Sequence, residues 1–390
     1  MEGFVFARLP RVVFGAGAIG RVGGIAAEYG RRLLLVTGRS SLSVSGTLAN
    51  LTESLERVDI ETVSVTVSGE PSPELVDETV SRHRYSGIGA VCAVGGGSVI
   101  DTGKAVAAML TVGGPVERFL DGVGTEEFHP GTTLPFIAVP TTAGTGSEAT
   151  KNAVLSWVGP KGFKKSLRHD NFTPTVAVVD PELTISCPPD ITATSGMDAL
   201  SQLIESYVST KASPLTDALA ISGIERAARS LVPVCTYAGI DIAARSDMAY
   251  AALVSGMTLA NAGLCVVHGL ASAVGGKFPA PHGVVCGTIL ASWAETTVGA
   301  LRAENNTVAL GKFARIGKIL SGKYGISDHD SCDALIDTLS GWTADLKIPR
   351  LGTYGVAETD IPALAHESGN KNNPVRLTQE DIIRIVLRRL

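Results

Sequence analysis

The strongest constraint on this chain is a change of rhythm near Pro188-Pro189. Before it, short apolar runs rich in β-branched residues alternate with helical stretches. Arg32–Val36 ends at Thr37-Gly38, Ile88–Val94 at Gly95-Gly96-Gly97, Leu134–Val139 at Pro140, and Thr175–Val179 at Asp180-Pro181. Runs of this kind, stopped by Gly or Pro, read as strands buried on both faces. Helices are expected between them over Val22–Ala27, Leu48–Arg57, Pro73–His83 and Val99–Met109. Repeated strand–helix units predict a doubly wound parallel sheet, with ligands at the carboxyl ends of its strands. After Pro188-Pro189, helical periodicity runs through Ile191–Val208, Leu215–Leu231, Ile242–Gly263 and Val308–Leu320. A last helix is expected over Leu377–Leu390, opening at Thr378-Gln379-Glu380-Asp381. The expected organisation is an α/β domain over residues 1–185 and an all-α domain over 186–390.

Composition narrows the classes. With 45% apolar and 18% charged residues, 390 residues supply ample core for two domains. A net charge of −5 and no long basic cluster argue against a nucleic-acid partner. Cys92, Cys187, Cys235, Cys265, Cys286 and Cys332 form no CxxC pair, so reduced, buried thiols in a cytoplasmic protein are expected. The N-terminal MEGFVFARLP lacks the pattern of a signal peptide. From Met248 to Gly276 there is no acidic or basic side chain except His268, a length that could span a bilayer. The stretch is built of Ala, Gly and Ser with Asn261 inside it, which fits buried helices of a soluble protein better than a membrane.

Two segments suggest phosphate binding. GGGSVIDTGK, Gly95 to Lys104, follows an expected strand and opens an expected helix. Glycines admit a pyrophosphate to the backbone, and a helix N-terminus offers it free N–H groups. PTTAGTGSEAT, Pro140 to Thr150, follows another strand and packs four hydroxyls and two glycines between Thr141 and Ser147. Two such loops after neighbouring strands point to a dinucleotide. GAGAIG, Gly15 to Gly20, also has the GxGxxG spacing, but no acid lies where a ribose contact should be.

His268 and His282 flank HGLASAVGGKFPAPHG, while Asp198 and Gln202 are four apart in GMDALSQLIESYVS, with Glu205 one turn further on. Asp198 can be read as a metal ligand or as the acid of a Ser195–Asp198 capping box, and Gln202 and Glu205 as that helix's polar face.

In order, GGGSVIDTGK, PTTAGTGSEAT, VAVVDPELT, GMDAL and HGLASAVGGKFPAPHG resemble the iron-containing (group III) alcohol dehydrogenases, which are related to maleylacetate reductases. The resemblance runs from Val12–Gly20 to Asn373-Pro374. It implies the dehydroquinate synthase-like fold, an N-terminal NAD(P) domain, and a helical domain holding a divalent metal in the cleft between them. It places Gly96, Gly97, Ser98 and Asp101 at the cofactor, with Thr141, Thr142, Thr145 and Ser147 around diphosphate, ribose and nicotinamide. Lys164, beside Lys165, matches a family lysine near the ribose. Asp198, Gln202, His268 and His282 match the ligand positions.

Three positions depart from the family. Gln202 stands where histidine is usual, Ser272 where a further histidine often follows the first, and Thr37-Gly38-Arg39-Ser40 where NAD-preferring members carry an aspartate. Without that carboxylate, Gly38, Arg39 and Ser40 can receive a 2′-phosphate, so NADP as well as NAD is expected. A glutamine carbonyl is a weaker donor than imidazole, so Fe2+, Zn2+ and Mn2+ all stay open as the metal. Ser272 is a proton-relay candidate. The implied function is metal-assisted hydride transfer between NAD(P) and a small alcohol, aldehyde or ketone, in a homodimer or higher homo-oligomer. A metal-independent maleylacetate-reductase-like enzyme and a dehydroquinate-synthase-like lyase remain alternatives.

Overall fold

The computed structural model describes residues 3–39, 42, 46–125, 127–237 and 239–390. In chain order its first half comprises β1 (Arg11–Phe14), α1 (Val22–Ala27), β2 (Arg32–Gly38), α2 (Thr47–Glu56), β3 (Glu61–Val67) and α3 (Pro73–His83). There follow β4 (Ala90–Gly95), α4 (Gly97–Val112), β5 (Phe136–Pro140), β6 (Asn152–Trp157), β7 (Phe163–Arg168) and β8 (Val176–Val179). Six strands form one parallel sheet in the order β1-β8-β5-β4-β2-β3, and β6 pairs with β7 in a separate antiparallel hairpin.

The four runs read as doubly buried strands are the four interior strands of this sheet. Their alternate residues feed cores on opposite faces. Leu34, Val36, Val91 and Ala93 pack with α3 and α4, whereas Leu33, Leu35, Cys92 and Val94 pack with α1 and α2. The chain crosses back over β2 on its way from β3 to β4. The β2/β4 crevice is therefore the switch point at which such sheets bind ligands.

The second half comprises α5 (Pro189–Val208), α6 (Pro214–Thr236), α7 (Ile242–Ala262), α8 (Val266–Lys277), α9 (His282–Ala303), α10 (Thr307–Ser321), α11 (Asp328–Asp345), α12 (Ile361–Ser368) and α13 (Gln379–Leu387). No strand follows β8 among the described residues. α5 starts at Pro189, with Asp190 in its first turn, as suits the fixed φ of proline and the positive end of a helix. Asp198 thus lies well inside the helix, and the capping-box reading of Ser195–Asp198 does not hold. Thr378 and Asp381 do form a capping box at the start of α13.

α7 and α8, which carry the uncharged stretch, meet at 99° across Gly263. That pair and α9 are long and apolar enough to cross a membrane, yet most of their side chains are buried against the rest of the protein.

Candidate active site and metal centre

The sheet's register lines up the ends of three strands. Thr37 of β2 is level with Val94 of β4, and Gly95 of β4 with Pro140 of β5. The backbone then leaves β4 through Gly96 straight into α4, whose N-terminus faces the loop after β5. A Cβ on Gly97 would lie 2.7 Å from Thr145 Cγ2, so the two loops touch only because the residue is glycine. Gly96 lies beside Thr142, and the Thr141 amide donates to the Gly95 carbonyl at 3.0 Å. Gly38 ends β2, and Arg39 follows it on the surface. Ser40 falls outside the described residues.

A cleft of about 750 Å³ opens between this edge and the helices. It brings together Gly97, Ser98, Asp101, Thr145, Ser147 and Lys164 from the first half with Gln202, His268, Ser272 and His282 from the second. Gly38, Arg39, Gly96, Thr141 and Thr142 do not line it. Lys164 Nζ pairs with Glu70 at 2.7 Å, whereas neighbouring Lys165 points toward Gly122 on the other side of β7.

Asp101 serves the protein itself. One oxygen accepts from Ser147 Oγ and the other from the Val154 amide at 3.0 Å, tying α4 to the β5 loop and to β6. Lys104 lies beneath the same loop, donating to the Ser147 and Asn152 carbonyls at 2.8 and 2.7 Å and to Thr150 Oγ1 at 3.0 Å. Burial pulls its ammonium down to about 8 and pushes the neighbouring Glu148 carboxyl up to about 7. GAGAIG is also occupied from within. The Gly17 amide donates to Asp180 and Glu182 at 3.2 and 3.1 Å, and the Ile19 amide to Asp180 at 3.0 Å. The VAVVDPELT motif thus fills the turn that its spacing alone would offer to a phosphate.

Across the cleft, three helices converge. α5 supplies Asp198, Gln202 and Glu205 on one face, α8 supplies His268 and Ser272, and α9 begins at His282 with Cys286 one turn on. Asp198, His268, His282 and Cys286 each offer one ligand atom, all within 4.8 Å of one another. Asp198 Oδ1 is 3.3 Å from His268 Nε2 and 3.7 Å from His282 Nε2. Such a convergence of carboxylate, imidazole and thiol suits a divalent transition metal.

Glu205 backs the group. It is fully buried, accepts the Val267 amide at 2.7 Å and pairs with His268 Nδ1 at 2.5 Å, directing Nε2 into the cluster. Gln202 does not turn its carbonyl toward the other donors. Its Nε2 donates to Asp198 Oδ2 at 3.3 Å and its Oε1 accepts from Ser255 at 2.9 Å. Ser272 donates to the His268 carbonyl at 2.9 Å, so its lone pairs are left to the cleft.

The charges are interlocked. Burial disfavours an ionised Asp198, but His282 and His268 outweigh it and hold the carboxyl down at about 2. Burial also opposes a charge on His268, yet its acidic neighbours prevail and its pKa stands above the ordinary value. For His282, burial wins over Asp198 and pulls the ring down to about 4. Burial pushes the Cys286 thiol up to about 12.

Sequence reasoning singled out Asp198, His268, His282 and Ser272, but grouped Cys286 with the inert thiols and left Glu205 as a polar-face residue. The spacing of His282 and Cys286, four apart just after Pro281, was the available signal for the first.

Comparison with known proteins gives a consistent picture. Residues 10–181 match the family model described as iron-containing alcohol dehydrogenase. Residues 192–390 match that of the C-terminal domain of the Fe-containing alcohol dehydrogenase family. The chain is 33% identical over 386 residues to alcohol dehydrogenase 4 of Saccharomyces cerevisiae, covering 97% of this chain and 96% of that protein. It is 32% identical over 385 residues to the NAD-dependent methanol dehydrogenase of Bacillus methanolicus, covering 97% of each. A crystal structure of 1,3-propanediol oxidoreductase superposes with a TM-score of 0.88 at 31% identity over the whole of both chains.

Proposed function

The chain belongs to the iron-containing alcohol dehydrogenase family, and from this we propose that it interconverts small alcohols and their aldehydes or ketones, using NAD(P) and a divalent metal. The observation that carries the reading is that the β4 and β5 loops and His268 and His282, with Asp198 just behind them, meet at one cleft. The cofactor supplies or accepts a hydride, and a metal held by Asp198, His268 and His282 supplies Lewis acidity toward the substrate oxygen.

The protein's own groups do the rest. The α4 N-terminus with Gly96, Gly97 and Ser98 holds the diphosphate, while Thr145 and Ser147 orient the nicotinamide side. Thr141, Thr142 and Lys164 complete the cofactor's surroundings. Glu205 keeps His268 aimed, and Gln202 and the two histidines keep Asp198 ionised and in place. Ser272 Oγ, with its own hydrogen bonded to the His268 carbonyl, can accept a hydrogen bond from a substrate hydroxyl and so orient it. NAD(P)H oxidation over an aldehyde panel, with and without a chelator, tests the assignment. No NAD(P)H-linked turnover on any member after metal addition would falsify it. Metal-independent turnover on maleylacetate, or product formation without net cofactor change, would favour the two alternatives.

The cofactor choice follows from the end of β2. Gly38 brings no carboxylate to repel a 2′-phosphate, and exposed Arg39 can pair with one. Both NADH and NADPH are therefore proposed as cofactors, with Ser40 next in sequence; strict use of NADH would overturn this.

One observation favours an anionic substrate. Lys211 and Lys371 line the cleft beside Leu259 and Leu264, and neither has an ion-pair partner among the described residues. Lys371 is open to the cleft, and partial desolvation by the surrounding protein pulls its pKa below the ordinary lysine value. An aldehyde carrying a carboxylate or sulfonate should show a lower KM than its neutral counterpart, and Lys371→Ala should erase that difference.

Division into domains near residue 185 accords with the change from sheet to helices. The six free cysteines suit a cytoplasmic setting. A homodimer or larger assembly is supported by the exposed edge strand β1 with Phe4, Val5, Leu9, Val12 and Phe14 around it.

A further inference from the structure

Cys286 lies where a fourth metal ligand belongs. Its Sγ is 3.6 Å from His268 Nε2 and 3.7 Å from His282 Nε2. Tetrahedral zinc, with bonds of about 2.0 Å to N or O and about 2.3 Å to S, has ligand–ligand edges of about 3.3 and about 3.6 Å. The two edges from Asp198 Oδ1, at 3.3 and 3.7 Å, lie near the same figures. The geometry fits four ligands: one oxygen, two nitrogens and one sulfur.

Gln202 completes the account by what it does not offer. An amide nitrogen has no free lone pair to give, and Gln202 presents its nitrogen to Asp198 Oδ2 while its carbonyl faces Ser255. With Oδ2 occupied, Oδ1 is the atom left to coordinate.

We propose that this site is an Asp-His-His-Cys centre that favours zinc over manganese, in which Cys286 ligates as thiolate and Gln202 is a positioning residue for Asp198. It rests on the reading above that a divalent metal binds in the cleft. On binding, the metal–sulfur bond replaces the S–H bond and the proton leaves to solvent; no electron is transferred. Thiolate is a soft donor that suits zinc and disfavours manganese. His268 and His282 line the cleft, whereas Asp198 and Cys286 lie behind them. The histidine side is thus the side open to a substrate, toward which a bound metal would supply Lewis acidity.

The test is to strip the purified full-length protein of metal and reload it with zinc, manganese or cobalt(II). Cobalt reports a sulfur ligand by an intense near-ultraviolet charge-transfer band, independent of turnover. We expect one cobalt per chain with that band in the wild type, and its loss in both Cys286→Ser and Cys286→Ala, checked for folding by thermal melts. Zinc should bind the wild type far more tightly than manganese. The Cys286 variants should lose more than about 100-fold in zinc affinity, beyond the loss typical of an outer-shell partner. Gln202→Leu should keep the band while weakening zinc roughly 10–100-fold. One cobalt bound without the band, or manganese binding as tightly as zinc, overturns the Cys286 assignment and leaves the metal reading standing. A wild type that binds neither cobalt nor zinc overturns both.

Discussion

At the scale of the residue, the site shows how a buried charge becomes useful only through its neighbours. Glu205 is buried and meets the Val267 amide and the His268 ring, so it fixes which imidazole nitrogen faces the cluster. Glu205→Gln keeps the shape and removes the charge; zinc affinity should fall about 10–100-fold in chelator competition, while the melting temperature of the metal-free protein changes little. Glu148 makes a different prediction. Burial raises its carboxyl from 4.5 to about 7, so the folded protein holds a proton that the unfolded chain has released over that window. Its contribution to stability is complete below pH 4.5 and is lost as pH rises through about 7. Thermal melts from about pH 5 to about pH 8 should show the wild type losing stability relative to Glu148→Gln. An unchanged difference across that range would place the Glu148 carboxyl near its ordinary value. Asp198, His268 and His282 were legible in the sequence because acids and histidines are conspicuous in apolar surroundings. Glu205 and Cys286 were not, because a helical acid is usually solvated and a lone cysteine is usually inert.

At the scale of the element, strands were legible in proportion to their burial. The interior strands are continuous apolar runs, whereas edge strands β1 and β3 are half exposed; β3, ETVSVTV, alternates polar and apolar residues and sends no such signal. The β6–β7 hairpin was missed for a related reason, since Lys164, Lys165, Ser166 and Arg168 break up any apolar run in β7. The contact between the halves was equally hidden. Gly146, with φ of 61°, sits against α7, where a Cβ on Gly256 would fall 2.1 Å from the Gly146 carbonyl oxygen. Gly256→Ala should therefore push the β5 loop away from α7. It should cost roughly 1–3 kcal/mol of stability, as overpacked sites do. KM for the cofactor should rise more than kcat falls, because the displaced loop carries Thr145 and Ser147. Equal kinetics and an unchanged melting point would mean that the loop and α7 part without effect.

At the scale of the whole molecule, one cleft joins a sheet edge to three helices, so occupation of the metal site should be felt across the fold. A ligand that binds only the folded state at about 100 times its Kd adds roughly 2.7 kcal/mol of stability. Chelation should accordingly lower the melting temperature and abolish turnover together, and zinc should restore both. Edge strand β1 sets a second expectation. Phe14→Asp, at its exposed end, should shift any dimer toward monomer in light scattering without moving the cleft residues. The amino-acid order alone determined the alternation of strands and helices, its end near Pro188-Pro189, and which loops and side chains are candidates for chemistry, because those follow from local periodicity and residue type. Tertiary structure decided what those residues do for one another. Asp180 fills the GAGAIG turn, Asp101 braces two loops, Glu205 aims His268, and Gln202 turns its amide nitrogen to Asp198 while Cys286 joins the histidines. These are contacts between residues up to about 160 positions apart, and only the packing of sheet against helices brings their partners within reach of a hydrogen bond.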